Sequence, residues 1–185
     1  MRENDIVFFN LHRRYLNRAP EYGGFLGIYL LSAFVNANGY QGQAFAGSLH
    51  QGKVILDEIC QAKKVKIIGL YCDYANVTEN ILVARYIKEK YHLPVLLGGP
   101  QSFSLGFTFL QQSGVDVLVR GEGELTVLEL LDYFLDGTGT LDEIQGISFI
   151  SEEGFHETAT RAPIENLDAL PWIDEECYLL PRKDW

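Results

Sequence analysis

Apolar residues in this chain come in short unbroken runs, separated by stretches with helical spacing. Ile6-Val7-Phe8-Phe9 is the first run. Unbroken apolarity over so few positions marks a strand buried on both faces. A helix is predicted over 25–37, stopped by Asn38-Gly39, where glycine accepts a left-handed cap. A weaker strand follows at 43–46, then a helix over 51–62 with Ile55 and Ile59 on one face. Ile67-Ile68-Gly69-Leu70-Tyr71 lies in a third strand over 66–72. Asn76 with Glu79 three residues on reads as a capping box, opening a helix striped with Val77, Ile81, Ala84, Val83, Ile87 and Tyr91. Pro94-Val95-Leu96-Leu97 is a fourth strand, ending at Gly98-Gly99-Pro100. A short helix over 105–112 leads to a fifth strand over 115–119. The last helix carries Val127, Leu130, Leu131, Phe134 and Leu135 on one apolar face.

Strand–helix alternation with buried strands predicts a parallel sheet covered by helices on both faces. The expected fold class is therefore α/β: a flavodoxin-like (Rossmann-like), doubly wound domain with a five-stranded parallel sheet over residues 1–137. Residues 138–185 break the pattern. Thr140 and Glu143 cap a short turn, and a hairpin is expected from 146–150 and 155–160 around Glu152-Glu153-Gly154. The stretch from 166 to 185, rich in Pro, Asp and Glu, offers few local contacts and reads as a connector toward a further domain.

At 185 residues, 47% hydrophobic and 22% charged, the composition is that of an ordinary globular chain and not of a disordered one. The longest apolar stretch, 25–35, is interrupted by Gly27 and Ser32 and is too short to span a bilayer. Cys60, Cys72 and Cys177 are odd in number and widely spaced, so neither a disulfide framework nor a zinc or iron–sulfur motif is expected within this chain. With no charged segment leading into an apolar one at Met1, the cytoplasm is the expected compartment. The net charge of −10 is uneven, with 16 of the 25 acidic residues beyond position 121. That acidic end disfavours nucleic acid as a partner.

In an open α/β sheet, ligands bind beyond the carboxyl ends of the strands, near the point where strand order reverses. The unusual residues of this chain fall at those ends: Asn10-Leu11-His12-Arg13-Arg14, Tyr71-Cys72-Asp73-Tyr74, Gly98-Gly99-Pro100-Gln101-Ser102 and Arg120-Gly121-Glu122-Gly123-Glu124. Gly98 and Gly99 would let a bulky ligand approach the backbone, and the following helix would offer unpaired N–H groups. A bulky substitution at either glycine is expected to weaken ligand retention and leave the fold largely intact. Glu122 and Glu124 would repel a pyrophosphate; they favour a helix N-terminus or accept hydrogen bonds from a ligand's amides or hydroxyls. No phosphate-binding loop of the GxxxxGK[ST] type occurs. His12 sits near a strand end without a partner pattern, and Cys72 at a strand end is either reactive or a buried inert thiol.

The run Leu96-Leu97-Gly98-Gly99-Pro100, followed by Val115-Asp116-Val117-Leu118-Val119-Arg120-Gly121-Glu122-Gly123-Glu124 and Leu128-Glu129-Leu130-Leu131, resembles the N-terminal cobalamin-binding domain of cobalamin-dependent radical SAM proteins. That family includes methyltransferases and anaerobic magnesium-protoporphyrin IX monomethyl ester cyclases. Residues 20–33, Ile147-Ser148-Phe149 and Leu167-Asp168-Ala169-Leu170-Pro171 are similar to its first loop and helix, its hairpin and its linker.

The resemblance implies cobalamin as cofactor, held over the carboxyl ends of the strands. Leu70, Tyr71, Cys72, Gly98, Gly99, Pro100, Gln101, Gly121, Glu122, Gly123 and Glu124 would surround it, with Gly24 from the first loop. In the wider cobalamin-binding fold a D-x-H-x-x-G motif supplies a histidine to cobalt. Here that slot falls on Tyr22-Gly23-Gly24-Phe25-Leu26-Gly27, and Gly24 stands where the histidine would be, so no metal ligand from the chain is expected. Tyr71 or Leu70 would shield the lower face of cobalt. The resemblance also implies that SAM and a 4Fe-4S cluster belong to a following radical SAM domain, without which this chain turns over nothing. A degenerate module that keeps the fold, binds no cofactor and serves protein interaction or regulation is the alternative.

Overall fold

The computed structural model describes residues 2–12 and 26–179. Seven strands form one sheet in the order β2-β1-β3-β4-β5-β6-β7. The parallel strands are β1 (Asn4–His12), β2 (Gly42–Ser48), β3 (Val65–Tyr71), β4 (Val95–Gly98) and β5 (Val117–Val119). Between them run α1 (Leu26–Ala37), α2 (Leu49–Gln61), α3 (Val77–Tyr91) and α4 (Phe107–Ser113), with α5 (Glu124–Leu131) after β5. The α/β doubly wound expectation holds. The strand count does not: the hairpin expected to follow the sheet joins it. β6 (Ile147–Ser151) pairs antiparallel with β5, and β7 (Gly154–Glu157) pairs antiparallel with β6.

Strand pleating sorts the core into two layers. Val7, Phe9 and Leu11 pack with Ile55, Leu56 and Ile59 of α2, Val83, Ala84 and Ile87 of α3, and Phe109 and Leu110 of α4. Ile6 and Phe8 pack with Ile28, Tyr29 and Val35 of α1 and Val127, Leu130 and Leu131 of α5. Successive side chains point to opposite faces, which is why unbroken apolar runs were needed. Gly69 makes the α1/α5 layer possible at its centre: a Cβ there would meet Phe8 Cδ1 at 2.6 Å.

Local expectations shift in two places. Asn76 precedes α3, but its side chain does not cap the helix. It accepts from Asp73 N at 2.9 Å and donates to the strand-end carbonyls of Tyr71 and Leu11. The capping box expected at Thr140 and Glu143 is present.

The tail is the other departure. Residues 176–179, in a stretch expected to offer few local contacts, lie along the open edge of β2. Tyr178 bridges Ala44 in parallel, Leu179 N donates to Ala44 O at 3.0 Å, and Gln43 donates to the carbonyls of Glu176 and Tyr178. Arg2 pairs with Glu176, and Tyr178 packs on Tyr29 with ring centroids 4.6 Å apart.

Candidate functional site

Strand order reverses at β1: the chain steps from β1 outward to β2, then returns to place β3 on β1's other side. The carboxyl ends of β1 and β3 therefore flank the crevice that such a reversal creates. Register fixes what lies there. Asn10 pairs with Ala46 on β2, Phe9 pairs with Leu70 on β3, and Tyr71 pairs with Gly98 on β4. One row thus crosses the sheet as Ala46, Asn10, Tyr71 and Gly98.

This row faces the α1/α5 layer. Ala46 belongs to that core and Tyr71 packs against it. Asn10 follows Phe9, and Gly98 follows Leu97; both of those side chains belong to the opposite layer. Over Gly98 there is room: a Cβ would meet only Val119, at 3.5 Å from its Cβ and 3.7 Å from its carbonyl.

Asn10 is 0% exposed, and among the described residues neither its Nδ2 nor its Oδ1 has a hydrogen-bond partner. It is the only buried side-chain amide there with both atoms unpaired. Leaving such groups unmet in a folded core costs on the order of 1–3 kcal/mol each, so the arrangement calls for a reason. Burial also raises the Tyr71 phenol above its ordinary pKa, reinforced by Asp73 and Cys72.

The other sequence-predicted residues distribute as follows. Leu70 and Cys72 are buried in the α2/α3/α4 layer, on the side away from Asn10. Burial pushes the Cys72 thiol up to about 11, which fits an inert thiol and not a reactive one. Gly99 has φ +112°, and a Cβ there would meet Cys72 O at 2.6 Å and Cys72 N at 3.0 Å. Gly99 is therefore required by its own backbone neighbour, and the expectation that a bulky residue there would spare the fold is corrected; at Gly98 a Cβ meets only ordinary van der Waals contacts. Pro100 opens a 3-10 turn (Pro100–Ser104) and is exposed, while Gln101 N donates to Cys72 O at 3.2 Å.

The Arg120-to-Glu124 segment is tied to the C-terminal part of the chain. Arg120 is buried; its guanidinium donates to the carbonyls of Ile147 and Thr158 and pairs with Glu157 at 3.1 Å. Gly121 has φ +97°, and Glu122 accepts from Ile164 N at 2.6 Å. Gly123 lies under Leu31 of α1, and Glu124 opens α5. Burial raises the Glu124 carboxyl, the charge of Glu122 adds to the rise, and backbone N–H groups of Gly123 and Glu124 oppose it. Gly24 falls outside the described residues, as do Arg13 and Arg14.

Sequence reasoning notes Asn10 at the end of the first strand but reads no role for it. Its signal was a lone carboxamide directly following four apolar positions in a central strand. Among the described residues no three His, Cys, Asp or Glu side chains cluster as a metal site, and no helix is long and apolar enough to cross a membrane.

No family model matches the chain. An uncharacterized methyltransferase from Pyrococcus horikoshii is 31% identical over 107 residues, 57% of this chain and 23% of that protein. Among solved structures, the radical S-adenosylmethionine methyltransferase TsrM from Kitasatospora setae, with cobalamin and a 4Fe-4S cluster bound, superposes with a TM-score of 0.68 at 18% identity. That match covers 85% of this chain and 31% of TsrM. The cobalamin-dependent S-adenosylmethionine radical enzyme OxsB, with aqua-cobalamin bound, also gives 0.68, at 20% identity over 87% of this chain and 23% of OxsB. This chain thus has the fold of a segment of these enzymes, and it spans less than a third of the length of each relative.

Proposed function

We propose that this chain is the cobalamin-binding domain of a larger radical SAM enzyme that transfers a methyl group or closes a ring. The observation that carries the reading is the row at the strand-order reversal: a fully buried Asn10 with no partner among the described residues, beside the half-buried Tyr71 and the uncrowded Gly98. A ligand that sends a narrow polar arm down into the α1/α5 layer would satisfy the first and use the space of the last. The nucleotide arm of a corrinoid has that shape and chemistry. The similarity in fold to two enzymes solved with cobalamin supports the same ligand.

In this reading Asn10, Tyr71 and Gly98 hold the arm, with Val119 lining the space beside Gly98. Gly99-Pro100-Gln101 and Gly121 to Glu124 frame the mouth, and Gly24, outside the described residues, stands in the sequence where related folds carry a cobalt-binding histidine. Cobalamin, when bound, supplies a carrier for methyl groups or a redox centre. The chain's own part is to bind and orient the corrinoid and to exclude water from beneath it. SAM and the 4Fe-4S cluster belong in this reading to a partner domain beyond the tail, so the isolated chain binds cofactor without turnover.

The test is direct. The purified chain is mixed with hydroxocobalamin and desalted, and its visible spectrum is recorded. Near-stoichiometric corrinoid absorbance is expected. A colourless protein would overturn the reading and leave a cofactor-free interaction module.

A further inference from the structure

We infer that Asn10 is the specificity-determining residue of this site: its carboxamide recognises a hydrogen-bond donor and acceptor lying side by side on the ligand's nucleotide arm, and not the corrin ring. The inference rests on the cobalamin reading and says which part of the ligand is read.

Three observations lead to it. Asn10 sits within a central strand, paired on one side with β2 and flanked on the other by β3, so its backbone is locked and its side chain projects from a fixed point. Both polar atoms are buried and unpaired, one a donor and the other an acceptor. The two other buried asparagines near the same strand ends, Asn76 and Asn80, are hydrogen-bonded, to strand-end carbonyls and to each other. At these strand ends the fold therefore provides partners for the asparagines on one face of the sheet and, among the described residues, none for Asn10 on the other.

A carboxamide offers N–H and C=O in one plane, which matches a ligand edge with the complementary pair. Asparagine meets the amino and ring nitrogens of adenine in this manner. A ribose hydroxyl next to a phosphodiester oxygen presents the same pair. A dimethylbenzimidazole ring has no donor of its own, so with cobalamin the sugar and phosphate would have to supply it. A site built around such a group discriminates strongly against ligands that leave it unpaired.

The experiment uses the whole chain and Asn10→Leu, which keeps the branched shape and the number of heavy atoms and removes both polar atoms. Equilibrium binding is read from corrinoid absorbance and intrinsic fluorescence with three probes. These are cobinamide, which lacks the nucleotide arm; cobalamin, whose base is dimethylbenzimidazole; and the cobamide whose base is adenine. Thermal unfolding of the ligand-free variant checks that it folds.

The expected result is that Asn10→Leu weakens both armed corrinoids about tenfold or more and leaves cobinamide unchanged. A larger loss for the adenine form identifies the base edge as the group read; equal losses identify the sugar and phosphate. Unchanged binding of all three probes, or an equal loss for cobinamide, overturns the inference while the cobalamin reading stands. Failure of the unsubstituted chain to bind any of the three overturns both.

Discussion

At the carboxyl ends of the strands, the two faces of the sheet treat their asparagines in opposite ways. On the α2/α3/α4 face, Asn76 and Asn80 are 0% and 1% exposed, and together they close the ends of β1 and β3. Asn80 donates to Tyr71 O at 3.0 Å and to Asn76 Oδ1 at 3.2 Å, while Asn76 reaches Tyr71 O at 3.0 Å. Across the sheet, Asn10 is as deeply buried and has no hydrogen-bond partner among the described residues. The same side chain secures the fold in one layer and is held in reserve in the other. In the cobalamin reading, that asymmetry is what marks the ligand face, with no metal cluster among the described residues to do so.

The largest effect is expected on the closed face. Asn76→Ala would strip partners from Asp73 N and from the strand-end carbonyls, costing about 3 kcal/mol. Denaturant unfolding reads this, and a loss below about 1 kcal/mol would erase the contrast. Gly99→Ala comes next, at about 2 kcal/mol, because a positive φ and the Cys72 backbone both oppose a Cβ. Gly98→Ala should leave stability nearly unchanged in the same assay, and a comparable loss at both positions would contradict the placement.

Asn10→Leu should move the other way. Replacing a buried amide that has no partner among the described residues by an apolar side chain of the same branched shape is expected to stabilise the ligand-free chain by about 1 kcal/mol. Thermal unfolding without corrinoid measures it, and a clear destabilisation would mean that the amide has a structural role after all.

The smallest effect lies between α2 and α3. Burial alone would raise the Asp57 carboxyl, but hydrogen bonds from Tyr91, Tyr86, Lys53 and Lys90 outweigh it and hold the group well below the usual carboxylate range. A pKa depressed in the folded state contributes stability that is complete above the unfolded value of about 4 and fades as pH falls. Asp57→Asn should therefore cost up to about 1 kcal/mol at pH 7, with the difference from the parent narrowing in acid unfolding titrations.

The strand–helix alternation was legible because burial on both faces demands unbroken apolar runs such as Ile6 to Phe9. The Gly98-Gly99 turn was legible too, though its two glycines serve different ends, which only the distance from Gly99 to Cys72 separates. Three things were not legible. β6 and β7 join the sheet by register with β5, and nothing local in their sequence specifies that pairing. Asn76 and Glu79 have capping-box spacing, yet the strand ends compete for the amide and win it. Arg120, Glu122 and Glu124 look like one motif, but Arg120 and Glu122 hold segments more than twenty-five residues away, and chain proximity says nothing about such partners.

The parallel sense of the bridge between Ala44 and Tyr178 has a directional consequence. At Leu179 the polypeptide is travelling with β2, toward the rim of the sheet on which Asn10 and Gly98 open. A body tethered to a chain that kept this heading would set out from the rim and not from behind the helical layers. It would need no long crossover to look down on whatever the rim holds.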